Sequence, residues 1–83
     1  LENAREAYVG ARLAARSQIT LTRDFITANR GRVGADARTR LAEAERQLAL
    51  AEAEADPVTA LDGARRAMTH ATDADALARY DVR

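Results

Sequence analysis

The stretch ARTRLAEAERQLALAEAEADPVTALDGARRAMTHATDADALA, residues 37–78, decides the fold. Before its single proline, Ala37, Leu41, Ala44, Leu48, Ala51 and Ala55 recur at steps of four and three. After it, Ala60, Ala64, Ala67, Ala71, Ala74 and Ala78 repeat the rhythm. Steps of this kind place side chains on one face of an α-helix, so the two halves read as partners in an antiparallel helical hairpin. Asp56-Pro57 marks the turn. Aspartate caps a helix start, and proline at the first helical position gives up only an N–H that would have had no partner.

Working outward towards the N-terminus, Leu1, Ala4, Tyr8, Ala11, Ala15, Ile19, Thr22 and Ile26 fall within a quarter of the helical circumference. Ala7, Ala14, Leu21 and Phe25 widen that stripe, which suits a helix packed against two neighbours. Its best internal spacing is eleven residues, as in Ala4, Ala15 and Ile26, and implies a nearly straight helix or slight right-handed supercoiling. Between the first and second helices lies Asn29-Arg30-Gly31-Arg32-Val33-Gly34. Gly31 is expected to take a left-handed conformation after the first helix, and Gly34 or Ala35 to open the second, with Asp36 in its first turn. No strand precedes this basic, glycine-bracketed loop and it fits neither phosphate-binding fingerprint, so it reads as a turn.

These elements predict an all-α fold, an antiparallel three-helix bundle or coiled-coil hairpin, with helices over about 2–29, 35–55 and 57–79 in a single domain. Leu77, Tyr80 and Val82 leave the alanine face, so the last helix is expected to fray or to turn toward another surface near its end. Among 83 residues alanine makes up about a quarter and large aliphatic side chains are few, which predicts a thin, closely packed core. Disorder is the competing expectation for so little bulk. A net charge of zero and the helix propensity of alanine argue against it.

Charge is balanced but uneven. Residues 1–32 carry six Arg against Glu2, Glu6 and Asp24, a net +3, and the remainder is −3, which favours docking of the two segments. Arg5, Arg12, Arg16 and Arg23 line up on one side of the first helix. Such a stripe suits an anionic surface, either lipid headgroups or a nucleic-acid backbone, or the acidic residues of the other helices. Without interleaved aromatic residues it does not point to nucleic acid. Val9 and Leu13, one turn apart and opposite the core stripe, together with Leu50, are candidate contacts for a protein partner or a second copy.

No constellation supports catalysis. Ser17 is the only serine and has no base at motif spacing, and His70 is expected to be exposed on the polar side of the third helix near Asp73. Glu43, Glu45, Glu52 and Glu54 read as a solvated face with ion pairs such as Asp36 to Arg40 and Glu43 to Arg46; Asp62 to Arg66 and Asp75 to Arg79 have the same favourable order in the third helix. Cysteine is absent, and neither a signal peptide nor an apolar run of membrane-spanning length is present in these residues. The reading is therefore of a non-enzyme, with no metal or cofactor implied. Leu1 already lies within a helical pattern, so the chain reads as a fragment of a longer protein.

The run Phe25-Ile26-x-x-x-Arg30-Gly31-x-Val33-Gly34-x-x-Ala37-Arg38-Thr39-Arg40-Leu41-Ala42-Glu43-Ala44, followed by Asp56-Pro57-x-x-Ala60-Leu61-x-x-Ala64, resembles the long helical region of actinobacterial TPM-domain membrane proteins. The resemblance covers residues 20–82. It implies a single-pass membrane parent, with an extracytoplasmic TPM domain and this helical segment on the cytoplasmic side of the plasma membrane. The phosphatase-like and assembly roles of TPM domains belong to a domain not contained in these residues. What the resemblance implies here is a spacer, self-association or partner-binding module.

Overall fold

A computed structural model describes residues 2–83, with the side chain of Glu2 excepted; Leu1, assigned above to the apolar stripe, lies outside the described residues. Three helices follow one another: α1 (Glu2–Ala28), α2 (Ala35–Ala53) and α3 (Pro57–Val82). Their directions follow from which side chains meet. Thr22 bonds Asp75 and Phe25 lies under Arg79, so α1 and α3 run parallel. Arg40 bonds Asp73 and Arg66 bonds Gln47, so α2 runs against α3. The result is an up–down–up bundle of 44 × 16 × 15 Å.

α3 is the shared helix. It packs along both neighbours, whereas α1 and α2 touch each other only slightly. Its buried positions are Ala60, Gly63, Ala64, Ala67, Ala71, Ala74 and Ala78, none with a side chain larger than a methyl group. The bulk comes from the other two helices, with Ile19 and Ile26 from α1 and Leu41 and Leu48 from α2. A flat, small-residue face lets both neighbours approach closely, so dispersion between tightly packed atoms takes over much of what large apolar side chains supply elsewhere. At Gly63 the approach is closest: a Cβ there would lie 3.0 Å from the Cβ of Ala51.

The broad α1 stripe has a different fate from the one expected. α1 has one principal neighbour rather than two, so Ala7 and Ala14 are exposed and Leu21 is 55% exposed, while Phe25 is half-buried. Full burial begins at Ala15, and Ala4, Tyr8 and Ala11 are half-buried.

The connections also differ from the local expectations. No glycine has positive φ, so Gly31 does not take the left-handed conformation. The chain turns instead through Arg32 N–H bonding to the Asn29 carbonyl, with Asn29 Nδ2 capping the Phe25 carbonyl. Gly34 is the N-cap of α2 and supplies no side chain; its N–H donates to Asp81 Oδ2 at 2.8 Å. α2 ends at Ala53, two residues early, because Glu54 is extended, and Ala55 is exposed outside the seam. α3 does not fray at 79. It continues to Val82, which packs against the core and whose carbonyl accepts from Arg32.

Asp56 caps α3 as expected, accepting from Thr59 N–H at 2.9 Å and from the Thr59 hydroxyl at 2.8 Å. These bonds hold the Asp56 carboxyl below its ordinary range. A depressed carboxyl contributes stability that is present above its unfolded pKa and lost as pH falls through the folded value. Asp56→Ala is therefore expected to lower the melting temperature at neutral pH, with the difference from the parent chain shrinking in acid as the parent's own cap becomes protonated. Calorimetry or circular dichroism melts across pH 7 to 2 check this, and a difference that does not change with pH would contradict it.

Candidate functional site

The α1–α2 boundary is where the candidate residues meet. Arg12 Nε donates to Glu52 Oε2 at 2.8 Å, and Arg16 lies 3.8 Å from the same oxygen. Arg23 bonds Glu45 through Nε at 3.1 Å and Nη2 at 2.5 Å. The charge asymmetry read from the sequence thus becomes a ladder that holds the positive side of α1 to the acidic side of α2. Ile19 and Leu48 lie beneath it in an open groove. Three of the four stripe arginines face carboxylates of their own chain; Arg5, further along α1, is exposed. These pairs are solvent-exposed, so each contributes about 0–1 kcal/mol, and they set pairing and register more than stability.

The α1–α3 boundary carries a second polar set that pattern reading missed. Thr22 is fully buried; it accepts from Gln18 Nε2 at 3.0 Å and donates to Asp75 Oδ1 at 3.1 Å. Asp75 Oδ2 in turn accepts from Arg79 Nε at 2.8 Å, and the Arg79 guanidinium lies 4.4 Å from the centre of the Phe25 ring. The Asp75–Arg79 pair was legible as an intrahelical ion pair. Its reach across to Thr22 was not, because that depends on the offset of two parallel helices. Alanine repeats permit sliding by a turn; a buried hydroxyl paired to one carboxylate does not.

On the α2–α3 side, Glu43 accepts from Arg46 and Gln47, as the intrahelical reading of Glu43 and Arg46 required. Those bonds, first from Arg46 and then from Gln47, with smaller contributions from the Arg46 charge and from His70, pull its carboxyl down from 4.5 to about 2. His70 is half-buried rather than exposed, because α3 has neighbours on two sides and its polar side is narrower than a single seam suggests; its Nδ1 is buried with no bond to a described residue. Arg40 bonds Asp73 across the interface instead of Asp36, and Arg66 bonds Gln47 instead of Asp62. Of the four intrahelical pairs the sequence suggested, Glu43–Arg46 and Asp75–Arg79 form, while Arg40 and Arg66 find their partners across the interface.

Val9 and Leu13 are each 65% exposed, beyond the arginine ladder, and Leu50 is 55% exposed on α2. Ser17 is exposed on α1 and lines a shallow surface depression with Thr20, Leu21 and, two turns on, Asp24. Among the described residues no group of three or more His, Asp or Glu is placed to hold a metal ion. No helix among them is long and apolar enough to cross a membrane.

Fold and surface together define an all-α helical bundle in which Arg12, Arg16, Arg23, Arg40, Arg46 and Arg79 pair with carboxylates of the same chain. The chain is similar to two curated proteins of Mycobacterium tuberculosis, UPF0603 protein MT2410 of strain CDC 1551 / Oshkosh and UPF0603 protein Rv2345 of strain ATCC 25618 / H37Rv. Each is 40% identical to it over 74 residues, which is 87% of this chain and 11% of the relative. The chain therefore spans about a ninth of the length of the curated relatives it matches. No protein-family model matches it, and no solved structure does.

Proposed function

We propose that the chain is a non-catalytic helical association module of a longer protein, working as a spacer, self-association or partner-binding segment. The observation that carries this reading is the disposition of its surface. Arg12, Arg16, Arg23, Arg40, Arg46 and Arg79 are turned onto carboxylates of the same chain, while Val9, Leu13 and Leu50 stand exposed. A surface on which these six arginines already hold carboxylates and large apolar side chains stand outside offers more to another helix than to an ionic ligand. The match to only 11% of each relative's length supports a role as one segment of a larger protein. The resemblance of Arg30-Gly31-x-Val33-Gly34-x-x-Ala37-Arg38-Thr39-Arg40-Leu41 to TPM-domain membrane proteins supports a single-pass parent with this segment on the cytoplasmic side.

The other reading of the stripe, binding of an anionic surface through Arg5, Arg12, Arg16 and Arg23, requires three of them to leave Glu52 and Glu45. At about 0–1 kcal/mol for each exposed pair that cost is small, and it falls on this reading and not on association.

Sedimentation equilibrium of the chain over a wide concentration range, with helicity followed alongside, tests the self-association form of the proposal. The expected result is a mass that doubles with helicity retained. A helical monomer at every concentration would remove self-association and leave an outside partner as the only form of association.

A further inference from the structure

We propose that the second copy joins by exchanging α1: the 29–34 turn straightens, α1 and α2 become one helix, and α1 docks on the α2–α3 hairpin of the other chain. This rests on the self-association form of the proposal above, though not on the exposed Val9, Leu13 and Leu50, and names its partner and geometry.

The first observation is phase. Ala15, Ile19, Thr22 and Ile26 bury one face of α1, and Ala37, Leu41, Ala44, Leu48 and Ala51 bury one face of α2. Ile26 and Val33 are two helical turns apart in sequence, and Val33 and Ala37 one turn apart. Counted as one helix, the stripe passes through the loop without losing its face, and the buried Val33 falls on it. A sequence selected only to turn at this point has no need to keep that phase.

The second observation is the turn itself. It contains no proline and no residue with positive φ, so no side chain must leave a conformation that only the turn allows. α2 begins without a side-chain cap, and what holds the bend is a small set of bonds: Arg32 N–H to the Asn29 carbonyl, Gly34 N–H to Asp81, Arg32 to the Val82 carbonyl, Arg38 to the Val33 carbonyl, and Asn29 Nδ2 to the Phe25 carbonyl. Gly31 and Gly34 are the residues that most oppose a helix here.

The third is that α1 brings its whole interface with it. Ile19 and Ile26 on the small-residue face of α3, Thr22 on Asp75, and Arg12, Arg16 and Arg23 on Glu52 and Glu45 are all contacts that a second chain's hairpin reproduces side chain for side chain. The joined helix from Glu2 to Ala53 would be about 78 Å long at 1.5 Å per residue, and Val33 of each chain would lie near the two-fold axis. Val9, Leu13 and Leu50 stay outside this contact.

The test uses the cysteine-free background. Thr20→Cys and Ala49→Cys, both exposed and facing the same α1–α2 groove, carry spin labels in chains diluted into an excess of unlabelled chain. The mixture is annealed at high concentration, and the dimer fraction is separated. The turned chain holds the labels across one helix pair, whereas the joined helix separates positions 20 and 49 by about 44 Å. The expected result is the long distance in the doubled-mass fraction. Gly31→Ala with Gly34→Ala should raise that fraction several-fold, since each alanine favours a helical hinge roughly five-fold over glycine and a Cβ at Gly34 presses on Asp81 Oδ2 at 3.3 Å. Val9→Glu with Leu13→Glu should leave it unchanged. A short distance in a doubled-mass fraction, or a dimer lost with Val9→Glu and Leu13→Glu, overturns the exchange and leaves self-association standing. Monomer alone, in both the parent and the two-alanine hinge variant, overturns the exchange and self-association together.

Discussion

Leu48→Ala is expected to lower the unfolding free energy by about 2–5 kcal/mol, the range for truncating a buried leucine. Leu48 is 8% exposed, and with Ile19, Ile26 and Leu41 it supplies most of the bulk that fills the space against α3. The total available to a domain of this size is about 5–15 kcal/mol, so the loss is a large share of it. Equilibrium urea unfolding reads the change as a shift of midpoint at constant slope. Leu50→Ala, one turn-half away and 55% exposed, should stay within about 0.5 kcal/mol of the parent. Similar midpoints for the two variants would mean that bulk from α2 is not what fills the core.

The second large effect is of opposite kind. Ala67 is fully buried on the face of α3 that meets both neighbours, and enlarging it must push one of them away. Ala67→Leu is expected to cost about 1–3 kcal/mol through overpacking, or about 4–8 °C in melting temperature per kcal/mol for a domain of this length. Ala76 lies on the same helix but is exposed, and Ala76→Leu should leave the melting temperature nearly unchanged. Leucine and alanine are both strong helix formers, so a difference between the two sites reports packing and not propensity. Equal melting temperatures would remove the small-residue face from the explanation of the fold.

The two predictions bracket how the sequence encodes the bundle. The steps of four and three from Ala37 to Ala51 and from Ala60 to Ala78, and the Asp56-Pro57 punctuation, are local signals, and they were legible because helix period and capping act within a few residues. The shared role of α3 was not legible, since a row of alanines looks alike whether one helix or two lie against it. From that one fact follow the exposure of Leu21, the partial burial of His70 and the redirection of Arg40 and Arg66 across the interface. Helix ends divided in the same way. Pro57 fixed one, whereas the continuation of α3 to Val82 depends on Arg32 and Gly34 arriving from a turn distant in sequence.

The candidate residues were partly legible. Opposite charge on adjacent segments pointed to docking, and Arg12, Arg16 and Arg23 do meet Glu52 and Glu45. Val9, Leu13 and Leu50 were recognisable as exposed from their angle off the stripe. Thr22 was hidden by its neighbours. Its methyl suits an apolar stripe, and only the offset of α1 along α3 shows that its hydroxyl meets Asp75.

Residue-resolved hydrogen exchange tests the central claim, that α3 is the common packing surface of the bundle. The expected result is slowest exchange for amides of α3 between Ala60 and Ala78, with α1 amides from Asn3 to Gly10 exchanging fastest among the helices because their side chains are at most half-buried. Exchange in α3 as fast as in α1, or protection concentrated at the α1–α2 boundary, would contradict it.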